Sequence, residues 1–487
     1  MNAPTTEIAA VDIQSDFSMT INGRSVTSLK VIEVVNPATG EAFATAPDCS
    51  PEQLNEAVAV AQTAFRSWRE TPVAKRQALL KQAGDIIEAN ADELAALFTR
   101  EQGRALTEAR SEVMLAADWL RKVSKMELPV SVMEDSDAQF VETRYIPLGV
   151  VCAIAPWNFP VILATWKYAP ALLTGNTVVL KPSPFTPLCT LKIGELLKDV
   201  FPAGVLNVVS GGDDLGPWMT SHRGFAKISF TGSTATGKRV MESAAKDLKR
   251  ITLELGGNDA AIILPDVDVD EVAQEIFFGA FYNSAQVCIA TKRLYVHEDI
   301  YDALRDRLTA MAQTVKVGDG SEEGTVLGPI QNKRQYDRVQ DLLDDARNTG
   351  LTIIQGAQVP DNGGFFMPVT IVDNPPEDSR VVKEEAFGPV LPMLKFSDIE
   401  DVVKRANDTE YGLAGAVWSK DTDKAIAVAR QLDTGTVWIN QNLVTRPDTP
   451  FSGHKQSGIG VENGEEGLLE YLVPQALYLA RGGNATG

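Results

Sequence analysis

Cysteine and histidine are scarce in this chain. Among 487 residues there are four cysteines, Cys49, Cys152, Cys189 and Cys288, and three histidines, His222, His297 and His454. No cysteine belongs to a CxxC or other close pair, which excludes a disulfide-dense scaffold and makes a reducing, cytoplasmic setting the expectation. No metal centre is expected, and no histidine falls in a motif that would support a Cys–His dyad. The chain also lacks any run of about 18 consecutive apolar residues, and its opening MNAPTTEIAAVDIQSDF has no basic segment followed by an apolar one. Neither a membrane span nor a signal peptide is therefore expected. Positive charge is in deficit, 45 Lys and Arg against 65 Asp and Glu for a net charge of -20. That excess repels nucleic-acid phosphates and anionic membrane surfaces at long range, so neither is expected as a partner.

What is present is an ordinary globular composition, 44% hydrophobic and 23% charged. A chain of this length exceeds what one core supports, so two large domains and a cleft between them are expected. From Pro51 to about Met126 apolar residues recur at three-to-four spacing (Leu79, Leu80, Ala83, Ile86, Ile87), which predicts long amphipathic helices. Pro129 to Pro147 switches to a strand-like pattern around the polar EDSDAQ and predicts a hairpin. From Gly149 short apolar runs alternate with helical stretches: VVCAIAP, Val161 to Leu173, TVVLKP, Leu188 to Val200, VLNVVSG, KISFTGS, Thr234 to Ala244 and ITLELGG. This is the rhythm of a parallel sheet with crossover helices, and a second series runs from DAAIILP to VWIN at 437–440.

Ligands of a doubly wound sheet sit at the carboxyl ends of its strands, so the residues just after each apolar run matter most. They are Pro156-Trp157-Asn158-Phe159-Pro160, Lys181-Pro182-Ser183-Pro184, Gly232-Ser233 and Glu254-Leu255-Gly256-Gly257. Gly232 to Arg239 nearly spells the phosphate loop of nucleoside triphosphatases, but Arg239 stands where a magnesium-binding hydroxyl is required, which disfavours an ATP-dependent phosphotransferase. A strand, glycines and a helix start still suit a dinucleotide pyrophosphate. Lys181, ending a strand, suits hydrogen bonds to ribose hydroxyls. Cys288 follows a helix and becomes a nucleophile only beside a base, for which Glu254 is the candidate.

Taken together, PWNFP, KPSP, FTGSTATG, ELGGND, NSAQVC, EEAFGP (Glu384 to Pro389) and PFSGHKQSGIG (Pro450 to Gly460) resemble the aldehyde dehydrogenase superfamily from about residue 20 onward. The resemblance implies an α/β fold with a Rossmann-like cofactor domain (1–128 and 148–256), a second α/β catalytic domain (257–456) and a small β oligomerisation region (129–147 and 457–487). It implies oxidation of an aldehyde to the acid, with NAD as cofactor, NADP possible, in a homodimer or homotetramer. Cys288 then resembles the nucleophile, Glu254 the general base and Asn158 the side-chain donor to the oxyanion. Lys181 and Ser183 resemble contacts to the adenosine ribose, Gly232 and Ser233 the pyrophosphate loop, and Glu385 and Phe387 the nicotinamide-ribose side. Ile154, Pro156, Trp157, Gly212, Gly216, Phe230 and Leu255 line the same cofactor channel by resemblance, and Lys167 matches a family lysine near the active site. Relatives that pass the acyl group to coenzyme A typically lack the glutamate, so Glu254 favours hydrolysis to the free acid.

The chain departs from the family in two places. Pro184 stands where members that prefer NAD often carry Glu, which removes an acceptor for the ribose and a charge that would repel a 2′-phosphate. Ala285 replaces a common Gly beside the cysteine, and its methyl group is expected to require a backbone that avoids positive φ. Phe159, Trp166 and Phe451 are expected to give the substrate tunnel apolar walls. Arg446, the only basic candidate in the variable segment 443–449, is expected to be solvated, so an apolar aliphatic or aromatic aldehyde is expected as substrate. The alternative is a binding protein that keeps the scaffold without the chemistry.

Overall fold

The computed structural model of the chain describes residues 17–481. Residues 1–16, on which most of the leader expectation rests, and 482–487 lie outside the described residues. Pro51 to Val123 folds as the helices Pro51–Trp68, Val73–Ala89, Ala91–Gln102 and Leu106–Val123. The first opens on a capping box in which Ser50 and Gln53 satisfy each other's backbone N–H.

An eight-stranded sheet runs in the order Arg24–Val26, Met19–Ile21, Leu206–Val208, Thr177–Lys181, Val150–Ile154, Lys227–Thr231, Arg250–Glu254 and Gly458–Ile459. Its five middle strands pair in parallel. Val150–Ile154 and Thr177–Lys181 are buried throughout, which is why they read as unbroken apolar runs and not as alternating ones. Against them lies Pro160–Leu173, buried on every side along its 14 residues. A seven-stranded sheet follows, in the order Thr352–Gln355, Thr370–Asp373, Val390–Phe396, Arg293–His297, Ala260–Ile263, Ala414–Trp418 and Thr436–Ile439. All of its pairings are parallel except that of the first two strands.

The hairpin Ser131–Asp135 and Gln139–Pro147 gains a third antiparallel strand, Leu472–Ala480, in continuous register from Leu472↔Pro147 to Ala480↔Gln139. The resemblance groups residues from 457 with this ribbon, but Gly458–Ile459 pairs instead with Leu253 and Glu254 at the edge of the eight-stranded sheet. The cause lies just beyond, where Glu462 is buried in an ion pair with Lys167 of the central helix and ties the segment to that sheet. No helix among the described residues is long and apolar enough to cross a membrane.

Candidate active site

From Val150–Ile154 the first sheet grows one way through Thr177–Lys181 to Leu206–Val208, and the other way through Lys227–Thr231 to Arg250–Glu254. Winding reverses between Val150–Ile154 and Lys227–Thr231, the point at which such sheets open a ligand crevice beyond their carboxyl ends. Pro156, Trp157 and Asn158 leave one of these strands, and Gly232 and Ser233 leave the other.

Ser233 caps the helix Thr234–Ala245 by accepting the Thr236 N–H, while the N–H groups of Thr234 and Ala235 have no partner among the described residues. Free donors at a helix N-terminus form an anion site. A Cβ at Gly232 would lie 2.5 Å from the Phe230 ring, and one at Gly237 would lie 2.5 Å from Leu255, so these glycines permit the close approach of loop, helix and strand. Lys181 is buried and donates to Pro182 O at 3.2 Å. Burial pulls its ammonium down to about 8, against the opposing pull of Asp213 and Asp48. Asp48 also accepts the Gly212 N–H, so carboxylates from other segments reach the strand tip that Pro184 leaves without one. Ser183 and Ile154 are buried beside it, whereas Gly216 opens to free space. Trp157 meets Phe387 edge-on at 5.3 Å, joining the first sheet's crevice to the 384–389 segment of the second. Glu385 accepts the Gly257 N–H at 3.2 Å, and its Oε2 occupies the place a Cβ at Gly256 would need.

Cys288 is partly exposed, whereas Cys49, Cys152 and Cys189 are buried, and all four thiols are free. Its loop begins with a backbone the sequence reading did not expect. Asn283, Ser284 and Ala285 have φ of 51°, 53° and 60°, one turn of left-handed helix. The expectation that Ala285 avoids positive φ is therefore wrong. Each such residue costs roughly 1–2 kcal/mol, so the surroundings must over-determine the turn. They do so through Ser284 Oγ donating to Gly328 O (2.6 Å), Gln286 N–H to Asn283 O (3.1 Å), and Gln286 Nε2 to Asn283 O and Pro329 O. The Cys288 N–H has no partner among the described residues. A Cβ on Gly257 would come within 2.9 Å of Cys288 O, so the ELGG segment lies directly against this loop.

Asn158 Nδ2 donates to Gln286 O at 2.9 Å, two residues before Cys288, which leaves its second N–H available. The backbone carbonyl of Asn158 accepts from Arg104 Nη2 and from Asn283 Nδ2. Arg104 in turn forms a buried ion pair with Glu112 at 2.6 Å, and Glu112 accepts the Val161 and Ile162 N–H groups that open the central helix. Nothing in the motif reading named Arg104 or Glu112. A signal existed, because Glu112 falls on the same helical face as the buried Ala109, Val113 and Ala116. Lys292, also missed, is buried with its ammonium on the cysteine loop.

Glu254 ends its strand 4% exposed, with neither carboxylate oxygen hydrogen-bonded. Burial drives its pKa well above the ordinary carboxylate range; Glu462 adds to the effect and Lys167 opposes it. Lys167 is paired with Glu462 at 2.9 Å, and Ser229 bridges the two. Trp166 stacks on Trp119 at 5.2 Å and meets Phe451 edge-on at 5.3 Å, while Phe159 lies over Tyr282 at 6.2 Å. Arg446 is exposed and paired with Asp448 at 2.6 Å. Among the described residues no group of three or more His, Cys, Asp or Glu is placed to hold a metal ion.

Residues 24–477 match the model of the aldehyde dehydrogenase family. The chain is 43% identical to an aldehyde dehydrogenase of Fusarium sp over 91% of this chain and 95% of that one. It is 38% identical to the phenylacetaldehyde dehydrogenase of Pseudomonas fluorescens over 97% and 98%. The NAD+ complex of an aldehyde dehydrogenase from Bacillus cereus superposes with a TM-score of 0.93 at 36% identity, covering 96% of this chain and 97% of that one. With a parallel-sheet crevice, a partly exposed cysteine and an unpartnered glutamate brought to one place, and with such similarity along its length, this chain belongs to the aldehyde dehydrogenase family.

Proposed function

We propose that the protein oxidises an apolar aldehyde to its carboxylic acid through a thioester on Cys288. The observation that carries this reading is the convergence of Cys288, the Asn158 amide and the unpartnered Glu254 on one loop. The Cys288 thiolate adds to the aldehyde carbon, and the carbonyl oxygen becomes an oxyanion that the free Cys288 N–H and the second Asn158 N–H would bind. NAD, when bound, supplies the acceptor for the hydride lost from that carbon. Thr234 and Ala235 N–H would hold its pyrophosphate beside Gly232 and Ser233; Lys181 and Ser183 would face one ribose and Glu385 the other. Ile154, Pro156, Trp157, Gly212, Gly216, Phe230, Leu255 and Phe387 complete the channel. Glu254 then takes a proton from water, the new C–O bond forms, the C–S bond breaks and the thiolate is restored.

The substrate class follows from the Trp166–Phe451 wall and from Arg446 being neutralised by Asp448, and a phenylacetaldehyde dehydrogenase among the relatives supports it. NADP use is limited by the charge of Asp213 and Asp48 near Lys181. The exposed Val132, Met133, Tyr478 and Leu479 of the three-stranded sheet suit a homodimer or homotetramer interface, and the free cysteines suit a reducing cytoplasm. The test is to mix the protein with NAD and aliphatic, aromatic and carboxylate-bearing aldehydes and follow reduced-nicotinamide absorbance. Turnover of the apolar aldehydes is expected. Cofactor binding without turnover of any aldehyde would favour the silent-scaffold alternative.

A further inference from the structure

The loop that carries the nucleophile folds around a single cation. Lys292 Nζ donates to the carbonyls of Val287 at 2.9 Å, Cys288 at 2.5 Å and Ala290 at 3.3 Å, which engages all the donors an ammonium has. Its own backbone N–H and that of Arg293 both bond to Asp259 O, at 2.9 and 3.0 Å, so the lysine is rooted where the strand Arg293–His297 begins. Glu385 Oε1 lies 3.7 Å from the ammonium. In a trans peptide the C=O and N–H point in opposite directions. The peptide between Val287 and Cys288 turns its oxygen to Lys292, so the Cys288 N–H points away from the ammonium, where it has no partner.

We propose that Lys292 is a positioning residue of the active site: by drawing three loop carbonyls onto one ammonium it aims the Cys288 N–H at the oxyanion, and it holds a fixed positive charge against the thiolate. The inference rests on Cys288 being the nucleophile. The charged groups facing the thiol are Glu254 from the end of its strand, Asp259 ahead of Ala260–Ile263, Glu385 from the 384–389 segment, and Lys292 itself. Burial pushes the thiol up to about 12; Lys292 draws it down, and the three carboxylates work against that lysine. The oxyanion donor and the thiolate thus depend on one side chain whose three donors are all taken by the loop itself.

The experiment alkylates the full-length protein with iodoacetamide over a pH series and follows the Cys288 peptide by mass spectrometry in wild type, Lys292→Gln and Lys292→Arg, with thermal melts to confirm folding. Lys292→Gln keeps two donors and loses the charge. It is expected to slow Cys288 alkylation about tenfold or more at each pH below the midpoint, which is a shift of the midpoint by about one pH unit or more, the usual effect of losing an opposite charge at contact range. Lys292→Arg keeps the charge but not the three-carbonyl geometry, and is expected to hold the midpoint while kcat falls about tenfold or more and the cofactor KM stays within about threefold. The proposal is overturned if the Lys292→Gln profile superimposes on wild type, or if Lys292→Arg keeps kcat within about twofold. Should Lys292→Gln fail to fold, the Lys292→Arg result decides alone. Cys288→Ala separates the two failures: if it retains turnover, the nucleophile assignment falls, whereas a dead Cys288→Ala beside an unmoved Lys292→Gln profile indicts Lys292 only.

Discussion

Replacing Glu254 by Gln separates the two halves of the reaction. The side chain is 4% exposed and neither carboxylate oxygen has a partner, so an amide of the same shape enters the same space without breaking any hydrogen bond. Hydride loss from the Cys288 adduct does not require this carboxylate, but hydrolysis of the thioester does. After rapid mixing with NAD and aldehyde, Glu254→Gln is expected to release a burst of reduced nicotinamide of about one equivalent per subunit and then slow by roughly 10²–10⁴-fold, the range of a lost general base. The mass of the acid-quenched protein should rise by one acyl group. Steady turnover within about threefold of wild type, or a burst without the adduct, would refute the reasoning. The pH dependence follows from the raised pKa that burial and Glu462 impose against Lys167. Glu254 acts only after losing its proton, so wild-type hydrolysis should rise with pH through that high value, and the mutant should lose the rise. Stability has the opposite sign. A carboxyl whose folded pKa lies above its ordinary 4.5 holds its proton more tightly when folded, so its contribution falls as pH climbs from 4.5 through the folded value. The melting temperature of Glu254→Gln relative to wild type should therefore increase with pH.

Asn158→Ala should lower kcat by about 10²–10³-fold, the usual loss for one oxyanion donor, and steady-state kinetics showing less than about a threefold change would place the oxyanion elsewhere. Arg104→Met leaves Glu112 buried with only the Val161 and Ile162 N–H groups, so urea unfolding should show a loss of about 3–5 kcal/mol, and a loss below about 1 kcal/mol would mean the pair is relaxed in solution. Pro184→Glu should lower NADP efficiency more than NAD efficiency by about tenfold or more, from on the order of 1–3 kcal/mol of repulsion. Asp213→Asn should move the ratio of the two kcat/KM values the other way, and a ratio unmoved by both would place specificity outside this strand tip.

Much of the architecture was legible because its causes are local. Parallel strands buried on both faces write themselves as VVCAI and TVVLK, and the residues that follow them must line the crevice. The hairpin was legible by alternation, but its third strand was grouped with it only through the family resemblance, because the register from Leu472 to Pro147 depends on a pairing more than three hundred residues distant. Ala285 misled because the left-handed turn is held by Gly328 and Pro329 carbonyls from a remote segment, and local propensity carries no trace of them. Lys292 was silent for the same reason. Its neighbours in sequence look like the start of a strand, and only the folded loop shows three carbonyls meeting on its ammonium.

The central claim is that Cys288 is the nucleophile. The most direct measurement is aldehyde-dependent reduction of NAD by Cys288→Ala beside Cys49→Ala, Cys152→Ala and Cys189→Ala. Cys288→Ala should lose at least about a thousandfold in kcat while its cofactor affinity stays within about threefold, and the three buried cysteines, read as packing residues, should keep their activity at a stability cost of about 1–2 kcal/mol each. Turnover by Cys288→Ala at more than about a tenth of the wild-type rate would contradict the account.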